Sequence, residues 1–271
     1  KKKGIPPMKL ASSTPPEQPS SSAAAPAPAP PPTSSSALAV TIAPLNGTYA
    51  VTVDNGAGTG VTVTDTAINT DITFVMPGGI ANNQTWSGLT VTGPAQGDFV
   101  MDAIVGLTLS SSTVLNANVR FPNLTSFTQD LGTSINANAK GCVSYTSANG
   151  YGPNGANTCT VNTAGYTVMP GNGGSGGAGH GGVGGAGNIT GGGGTYDSAT
   201  APSLYGSSAG GAYGNIVGGT GGGLVRIGAA GTVTLNGTIS ASGGVGTTNG
   251  TSISGGGGSG GSIFITAATL A

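Results

Sequence analysis

The sequence predicts an all-β fold, an elongated parallel β-solenoid-like stack whose C-terminal half is rich in glycine. Three observations support this prediction. Val, Ile and Thr alternate with polar residues in short runs, two motifs recur at fixed spacings, and 54 of the 271 residues are glycine. Only 6% of the residues are charged, whereas an ordinary soluble domain has about 25%. No segment has the composition of a helix, so strands and turns are expected throughout.

Residues 1–36 are predicted to be a disordered tether rich in Pro, Ser and Ala. Proline fixes φ and lacks an N–H, so a segment of this composition is extended and has no core of its own. Three lysines followed by a Ser/Pro/Ala-rich stretch resemble the segment that follows the lipidated cysteine of a bacterial lipoprotein. An N-terminal lipid anchor is therefore the expected link to a membrane, since the sequence has no apolar run long enough to span one. The alternatives are an arbitrary start and an internal start at Met8.

Residues 37–140 are predicted to be strand-rich. The runs ALAVTI, TYAVTVD, GVTVTDT and DITFVM alternate apolar with polar residues, as half-buried strands do. Residues 37 to about 80 are expected to form either a small β-sandwich-like module or the first coils of a solenoid.

Two recurring motifs in this region indicate solenoid rungs. TVLNANV at 113–119 recurs as TSINANA at 133–139, and GLTV at 88–91 recurs as GLTL at 106–109. Both spacings fall close to the period of about 20 residues that a short structural repeat has. They predict one rung of a parallel β-solenoid for each repeat.

Residues 141–271 are predicted to be a glycine-rich repeat region. GGLVRIGAA at 222–230 aligns with GGSIFITAA at 260–268, at an offset that we interpret as two rungs. Each unit is expected to contain a glycine-rich stretch, a strand, a turn, a second strand and a further glycine-rich stretch.

Glycine recurs at every third position in GNGGSGGAGHGGVGGAGN, residues 171–188. A flexible linker has no reason to keep such a register, and a collagen-like helix requires proline, which is absent from this run. Close packing remains, in which only glycine fits and other glycine-rich segments supply hydrogen-bond partners. Polyglycine-II packing is one such arrangement. The predicted close-packing residues are Gly173, Gly176, Gly179, Gly182 and Gly185.

The glycine-rich stretches also resemble a known group of sequences. GGAGHGGVGGAGN, GGTGGGLVRIGAAGTVTLNGTISASGG and GGGGSGGSIFITAATLA look like the glycine-rich repeat region of large bacterial surface proteins, over roughly residues 141–271. A weaker similarity is to the polyglycine-II bundles of phage tail-tip adhesins. The resemblance implies a β-solenoid-like protein that is exported to the bacterial outer surface or the extracellular space.

Cys142 and Cys159 are the only cysteines, and they flank a loop of Gly, Asn and Ser. A disulfide between them would contribute about 3 kcal/mol by closing the loop, and would indicate an oxidising compartment. The alternative is a pair of free buried thiols. Zinc is not expected because His180 is the sole histidine and no C-x-x-C motif occurs. No metal or cofactor is predicted.

The charged residues argue against nucleic-acid binding and against catalysis. Residues 37–271 contain three cationic side chains and seven aspartates, a net charge of −4, so no basic patch for phosphates is available. Asp98 and Asp102 are the best carboxylate pair for polysaccharide cleavage. We interpret them as solvated aspartates at strand ends, and His180 has no evident partner in the sequence. No catalytic residue is predicted.

The expected function is that of a non-catalytic cell-surface or extracellular structural protein. It would be an adhesin stalk, or the subunit of a fibre or sheath that self-associates. The alternative is a tip protein that binds a glycan or a receptor, with Tyr196, Tyr205 and Tyr213 as candidate ligand contacts. A polysaccharide-active enzyme ranks third.

Overall fold

The computed structural model describes most of the chain from residue 83 onward, together with the backbone of four short strands before it. The described ranges are 40–41, 49–52, 62–65, 72–74, 83–101, 106–145, 149–154, 158–161, 175–187, 190–212, 215–250 and 253–271. All of them belong to a unit that comprises residues 38–271. The predicted tether lies outside the described residues. These ranges contain no helix, and therefore no helix that is long and apolar enough to cross a membrane.

The strands occur in successive groups along the chain. Two groups open the order: β1 (Val40–Thr41), β2 (Tyr49–Thr52) and β3 (Thr62–Asp65), then β4 (Ile72–Phe74), β5 (Gln84–Ser87) and β6 (Thr90–Thr92). Next are β7 (Asp98–Met101), β8 (Gly106–Ser110), β9 (Val114–Asn116), β10 (Asn118–Leu124), β11 (Ser126–Gln129) and β12 (Ser134–Asn136). A hairpin follows, β13 (Tyr151–Pro153) and β14 (Cys159–Val161). The last are β15 (Leu224–Ala229), β16 (Thr232–Leu235), β17 (Thr238–Ser240), β18 (Ser262–Thr266) and β19 (Thr269–Leu270).

Three stacked sheets contain all of these strands except the hairpin. Sheet 1 has the order β1-β4-β7-β10-β15-β18, sheet 2 the order β5-β8-β11-β16-β19, and sheet 3 the order β2-β3-β6-β9-β12-β17. Every pair is parallel apart from β1–β4 and β2–β3. Consecutive strands such as β7, β8 and β9 therefore enter the three sheets in turn and form one rung. The described fold is all-β, with stacked parallel sheets consistent with a β-solenoid, as the sequence predicts.

The repeat of TVLNANV as TSINANA is confirmed by the strand register. Ile135 of β12 pairs with Leu115 of β9, and both side chains are fully buried. The prediction that GLTV and GLTL occupy equivalent positions in successive rungs is wrong. Val91 pairs with Leu115 in sheet 3, whereas Leu109 pairs with Trp86 in sheet 2. The two GLT motifs thus lie at different positions of the rung and face different neighbours. Short Thr-rich runs recur on every side of such a solenoid, so a match of four letters does not fix the register.

The repeat of GGLVRIGAA as GGSIFITAA has the predicted register but not the predicted rung count. Val225 of β15 pairs directly with Ile263 of β18, so one rung, not two, separates them. The additional residues are a glycine-rich excursion from 241 to 261 that leaves the solenoid after β17. The three sheets also continue across residue 140, since β10 pairs with β15.

The solenoid interior is an apolar column in each sheet. Val91, Leu115 and Ile135 stack in sheet 3 and have no solvent exposure. Trp86, Phe99 and Phe121 pack against one another at ring-centroid distances of 5.7–5.9 Å. Burial of each such side chain stabilises the fold by about 1.5–3 kcal/mol.

Outside the sheets, the glycine-rich segments form what we call the glycine bundle. Its segments are 175–187, 190–196, 205–212, 217–223, 241–247 and 254–261. Segment 254–261 forms backbone hydrogen bonds with four other segments. Ala178 N–H donates to Gly257 O (2.9 Å), Gly219 N–H to Gly256 O (2.7 Å), Ser259 N–H to Ser207 O (3.0 Å) and Gly258 N–H to Gly244 O (2.9 Å). A strand in a sheet has two neighbours at most. The bundle is therefore a three-dimensional hydrogen-bonded network.

A disulfide joins Cys142 to Cys159, as the sequence predicts. It fixes the β13–β14 hairpin to the chain that leaves β12. Cys142 is fully buried and packs with Tyr205 and Leu224, which places the disulfide between the glycine bundle and sheet 1.

Candidate functional site

The five glycines predicted to pack closely do not behave alike. A Cβ at Gly176 would overlap the backbone oxygen of Gly191, and one at Gly179 would overlap the backbone oxygen of Gly194. At Gly182 and Gly185, however, no atom lies within 4 Å of a Cβ position. The prediction is therefore wrong for these last two glycines, because the chain turns back after His180 and their Cβ positions face open space. Gly173 lies outside the described residues.

Other glycines meet the packing requirement without following a three-residue register. A Cβ would overlap a neighbouring backbone carbonyl oxygen at Gly184, Gly192, Gly221 and Gly261. The signal for them in the sequence is the number of separate glycine-rich stretches. Which residues face inward depends on which segments become neighbours, and the sequence does not specify that.

Three polar side chains meet at the edge of the bundle, in what we call the histidine cluster: His180, Asp197 and Ser262. The Nε2 atom of His180 lies 3.2 Å from Asp197 Oδ2, and its Nδ1 atom lies 2.9 Å from the carbonyl oxygen of Gly260. Ser262 Oγ donates to Leu204 O at 2.7 Å and lies 3.2 Å from Asp197 Oδ2. The His180 and Asp197 side chains are 8% and 6% exposed. The expectation that His180 has no partner is wrong, since Asp197 is distant in sequence but adjacent in space.

Asp197 organises the loop that follows it. Its carboxylate accepts the backbone N–H groups of Ser198 (2.8 Å), Ser203 (2.9 Å) and Leu204 (2.9 Å). Burial raises the pKa of Asp197, but these three donors and His180 outweigh burial and hold the pKa below its ordinary value. Asp197 also has a φ of 70°, a left-handed conformation that Asp and Asn tolerate better than other non-glycine residues.

The cluster does not have the geometry of a catalytic Ser-His-Asp triad. In such a triad the serine and the aspartate bind different ring nitrogens of the histidine. Here Asp197 and Ser262 both lie on the Nε2 side, with Ser262 Oγ 3.5 Å away, whereas Nδ1 is bonded to a backbone carbonyl. Ser262 is also only 2% exposed. The geometry supports a structural junction between segments 175–187, 190–196 and 254–261.

The carbonyl oxygen of Gly260 can only accept a hydrogen bond, so the Nδ1 atom of His180, 2.9 Å away, carries a proton. We therefore expect an Nδ1–H signal from this ring that is protected from exchange with water. Nitrogen-15 NMR tests this directly, because the chain contains one histidine. Ring protons that exchange as fast as those of a free imidazolium would contradict the placement of His180.

The three tyrosines predicted to contact a ligand lie in different environments or outside the described residues. Tyr205 is 3% exposed and donates its hydroxyl to Asp98 at 2.7 Å, so that prediction is wrong for this residue. Tyr196 packs against the His180 ring at a centroid distance of 4.6 Å and donates to the Tyr205 carbonyl at 2.7 Å. Burial raises the pKa of Tyr196 to about 12. Tyr213 lies outside the described residues.

Asp98 is not the solvated aspartate that the sequence predicts. It is 8% exposed, accepts the Tyr205 hydroxyl and forms an ion pair with Arg120 Nε at 3.0 Å. The ion pair joins two strands of sheet 1, and the hydrogen bond from Tyr205 connects sheet 1 to the glycine bundle. Asp102 lies outside the described residues, so the carboxylate pair is not seen. Within the described ranges, no three His, Cys, Asp or Glu side chains are grouped closely enough to hold a metal ion.

A cleft of about 920 Å³ opens beside the histidine cluster. Val183, Tyr196, Pro202 and Ile263 contribute to its wall.

Comparison with known proteins identifies no relative of this chain. No family model, no curated protein and no solved structure matches this chain.

Proposed function

We propose that this protein is a non-catalytic structural protein of the bacterial surface or extracellular space, and specifically a subunit that associates end to end into a fibre. The observation that carries the proposal is the backbone hydrogen-bond network of the glycine bundle. It leaves no room for side chains at most of the contacts between segments, and so suits a stiff, inert body. The Cys142–Cys159 disulfide is compatible with export.

Polyglycine-II packing is the arrangement that we propose for the bundle. Gly177 N–H donates to Gly185 O (2.8 Å), Gly184 N–H to Gly193 O (2.9 Å) and Gly193 N–H to Gly177 O (2.9 Å). These bonds connect, in a closed triangle, the two parts of segment 175–187 on either side of the turn after His180 and segment 190–196. Extended helices with three residues per turn point their N–H and C=O groups in three directions, which supports this assignment.

The described part of the solenoid stacks up to six strands in a sheet. Six stacked strands at a spacing of about 4.8 Å span roughly 24 Å. We propose that a second copy stacks its own rungs onto these.

The last rung provides a surface for such a contact. Val225 and Val233 are fully buried, but their partners in the next rung, Ile263 and Leu270, are 44% and 68% exposed. The apolar columns of sheets 1 and 2 are thus accessible to a second copy at β18 and β19. The edges of these strands can also add a further strand by hydrogen bonding.

Negative-stain microscopy tests the proposal. We expect filaments whose length increases with protein concentration, and we expect Leu270→Asp to abolish them, because it places a charge in the apolar contact. Leu131→Asp is the matched control, since Leu131 is 85% exposed on a turn at the side of the solenoid. Filaments that persist in Leu270→Asp, or a wild-type chain that stays monomeric at every concentration, would rule out the fibre.

A further inference from the structure

The outer face of sheet 1 is only partly covered, and its open part contains a groove. Leu224 and Ser262 lie on this face under the glycine bundle, and each is 2% exposed. Further along the same strands and on the same face, Arg226 is exposed and Phe264 is half-buried. The open part is lined by two adjoining cavities of about 400 and 340 Å³. They share Pro122, Gly228 and Thr266, and we call them together the outer groove.

Sheet 1 places its two arginines opposite each other at one end of this groove. Arg120 of β10 pairs in register with Arg226 of β15. Like charges directly opposite in a sheet are destabilising, so an arrangement of this kind needs a compensating anion. Asp98 provides one for Arg120. Among the described residues, no carboxylate lies within ion-pair distance of Arg226.

Arg226 is the one cationic side chain of the described body that is available to a ligand. Lys140 donates to the Gly93 carbonyl at 2.6 Å, and burial lowers its pKa. The Arg226 guanidinium is instead held over the Phe264 ring, 5.5 Å from its centroid. This cation–π contact orients the charge at the wall of the groove without neutralising it.

The floor of the outer groove is kept open by a glycine and a strand irregularity. The register of β10 against β15 shifts between Phe121 and Leu124, and Gly228 lies opposite this shift. A Cβ at Gly228 would lie 2.5 Å from the carbonyl oxygen of Pro122. Beyond this point the lining includes the exposed residues Asn123, Thr125 and Thr266.

We propose that the outer groove binds a glycan that carries a single carboxylate at the contacting sugar, such as a uronic acid within an otherwise neutral chain. The guanidinium of Arg226 matches one carboxylate with two parallel hydrogen bonds. The hydroxyl and amide groups along the rest of the groove suit sugar hydroxyls. A dense polyanion such as a nucleic acid fits less well, because one cation faces a body with a net charge of −4. The proposal does not depend on fibre formation.

Isothermal titration with matched ligands tests the proposal. The probe is a tetrasaccharide of alternating glucuronate and N-acetylglucosamine, compared with the same tetrasaccharide after reduction of its carboxylates to alcohols. We expect binding of the first to be about 10- to 100-fold tighter than that of the second, as for a charged hydrogen-bonded pair. Arg226→Gln should remove this preference, and Arg226→Lys should keep part of it.

Two controls make the result decisive. Thr128→Ala changes a half-buried threonine on sheet 2, away from the groove, and should leave the affinity unchanged. Thermal melting of Arg226→Gln should show no loss of stability, because the side chain is exposed and its removal also relieves the repulsion with Arg120. Equal binding of the acidic and reduced tetrasaccharides, an unaffected Arg226→Gln variant, or equal binding of an oligoglutamate peptide would each overturn the proposal.

Discussion

Gly176→Ala is expected to destabilise the protein strongly, whereas Gly182→Ala, in the same glycine run, is expected to be harmless. A methyl group at residue 176 would overlap the carbonyl oxygen of Gly191, whose backbone has no flexible side chain to move aside. Overpacking of this kind costs about 1–3 kcal/mol, and more where backbone must shift. For a chain of this size we expect a fall in Tm of roughly 5–10 °C.

The Gly182 variant is the matched control. No atom lies within 4 Å of its Cβ position, so alanine fits, and the smaller entropy of the unfolded chain stabilises the variant by up to about 1 kcal/mol. Thermal melting and limited proteolysis of the two variants provide the comparison. If both substitutions leave Tm unchanged, segment 175–187 is a spacer and not part of a packed bundle.

Asp197→Asn is expected to lower the free energy of unfolding by about 1–3 kcal/mol at neutral pH, the usual effect of leaving buried hydrogen-bond donors without an acceptor. Asparagine keeps the size and the left-handed backbone preference of the residue. However, its NH₂ group would face donors, namely His180 and the N–H groups of Ser203 and Leu204. Chemical denaturation measures the loss, with Asp130→Asn as a control aspartate on a solenoid turn.

The effect of Asp197→Asn should also depend on pH. The folded-state pKa of Asp197 lies below the ordinary value of 3.8, so its stabilising contribution is complete above that value and is lost as pH falls through the lowered pKa. The difference in stability between wild type and Asp197→Asn should therefore shrink in acid. A difference that stays constant from neutral pH to about pH 2 would show that the carboxylate charge plays no part.

The solenoid is largely predictable because its signals are local. Alternation of Val, Leu and Ile with Thr predicts strands, and the repeat at 113–119 and 133–139 fixes a true register, since Leu115 and Ile135 occupy the same column. Rung length is less predictable. Glycine-rich excursions of different lengths separate strands that are neighbours, so the long interval between Val225 and Ile263 corresponds to a single rung.

The candidate site is predictable only in part. The disulfide follows from two cysteines in a loop, but the partners of His180 and Asp98 come from segments 17 and 107 residues away, namely Asp197 and Tyr205. Nothing local marks these pairs, because the segments that bring them together contain mostly glycine. The same cause explains why the sequence pattern assigns Gly182 and Gly185 to the interior. Glycine-rich stretches look alike whether they face a neighbour or open space.

Amide hydrogen exchange at the glycines tests most directly whether the glycine bundle is an ordered interior. Gly184, Gly193, Gly219, Gly222 and Gly258 each donate a backbone hydrogen bond to another segment. Their amides should exchange orders of magnitude more slowly than those of an unfolded chain, and Gly182 should exchange rapidly. Exchange of all six amides at the rate of an unstructured peptide would contradict the account.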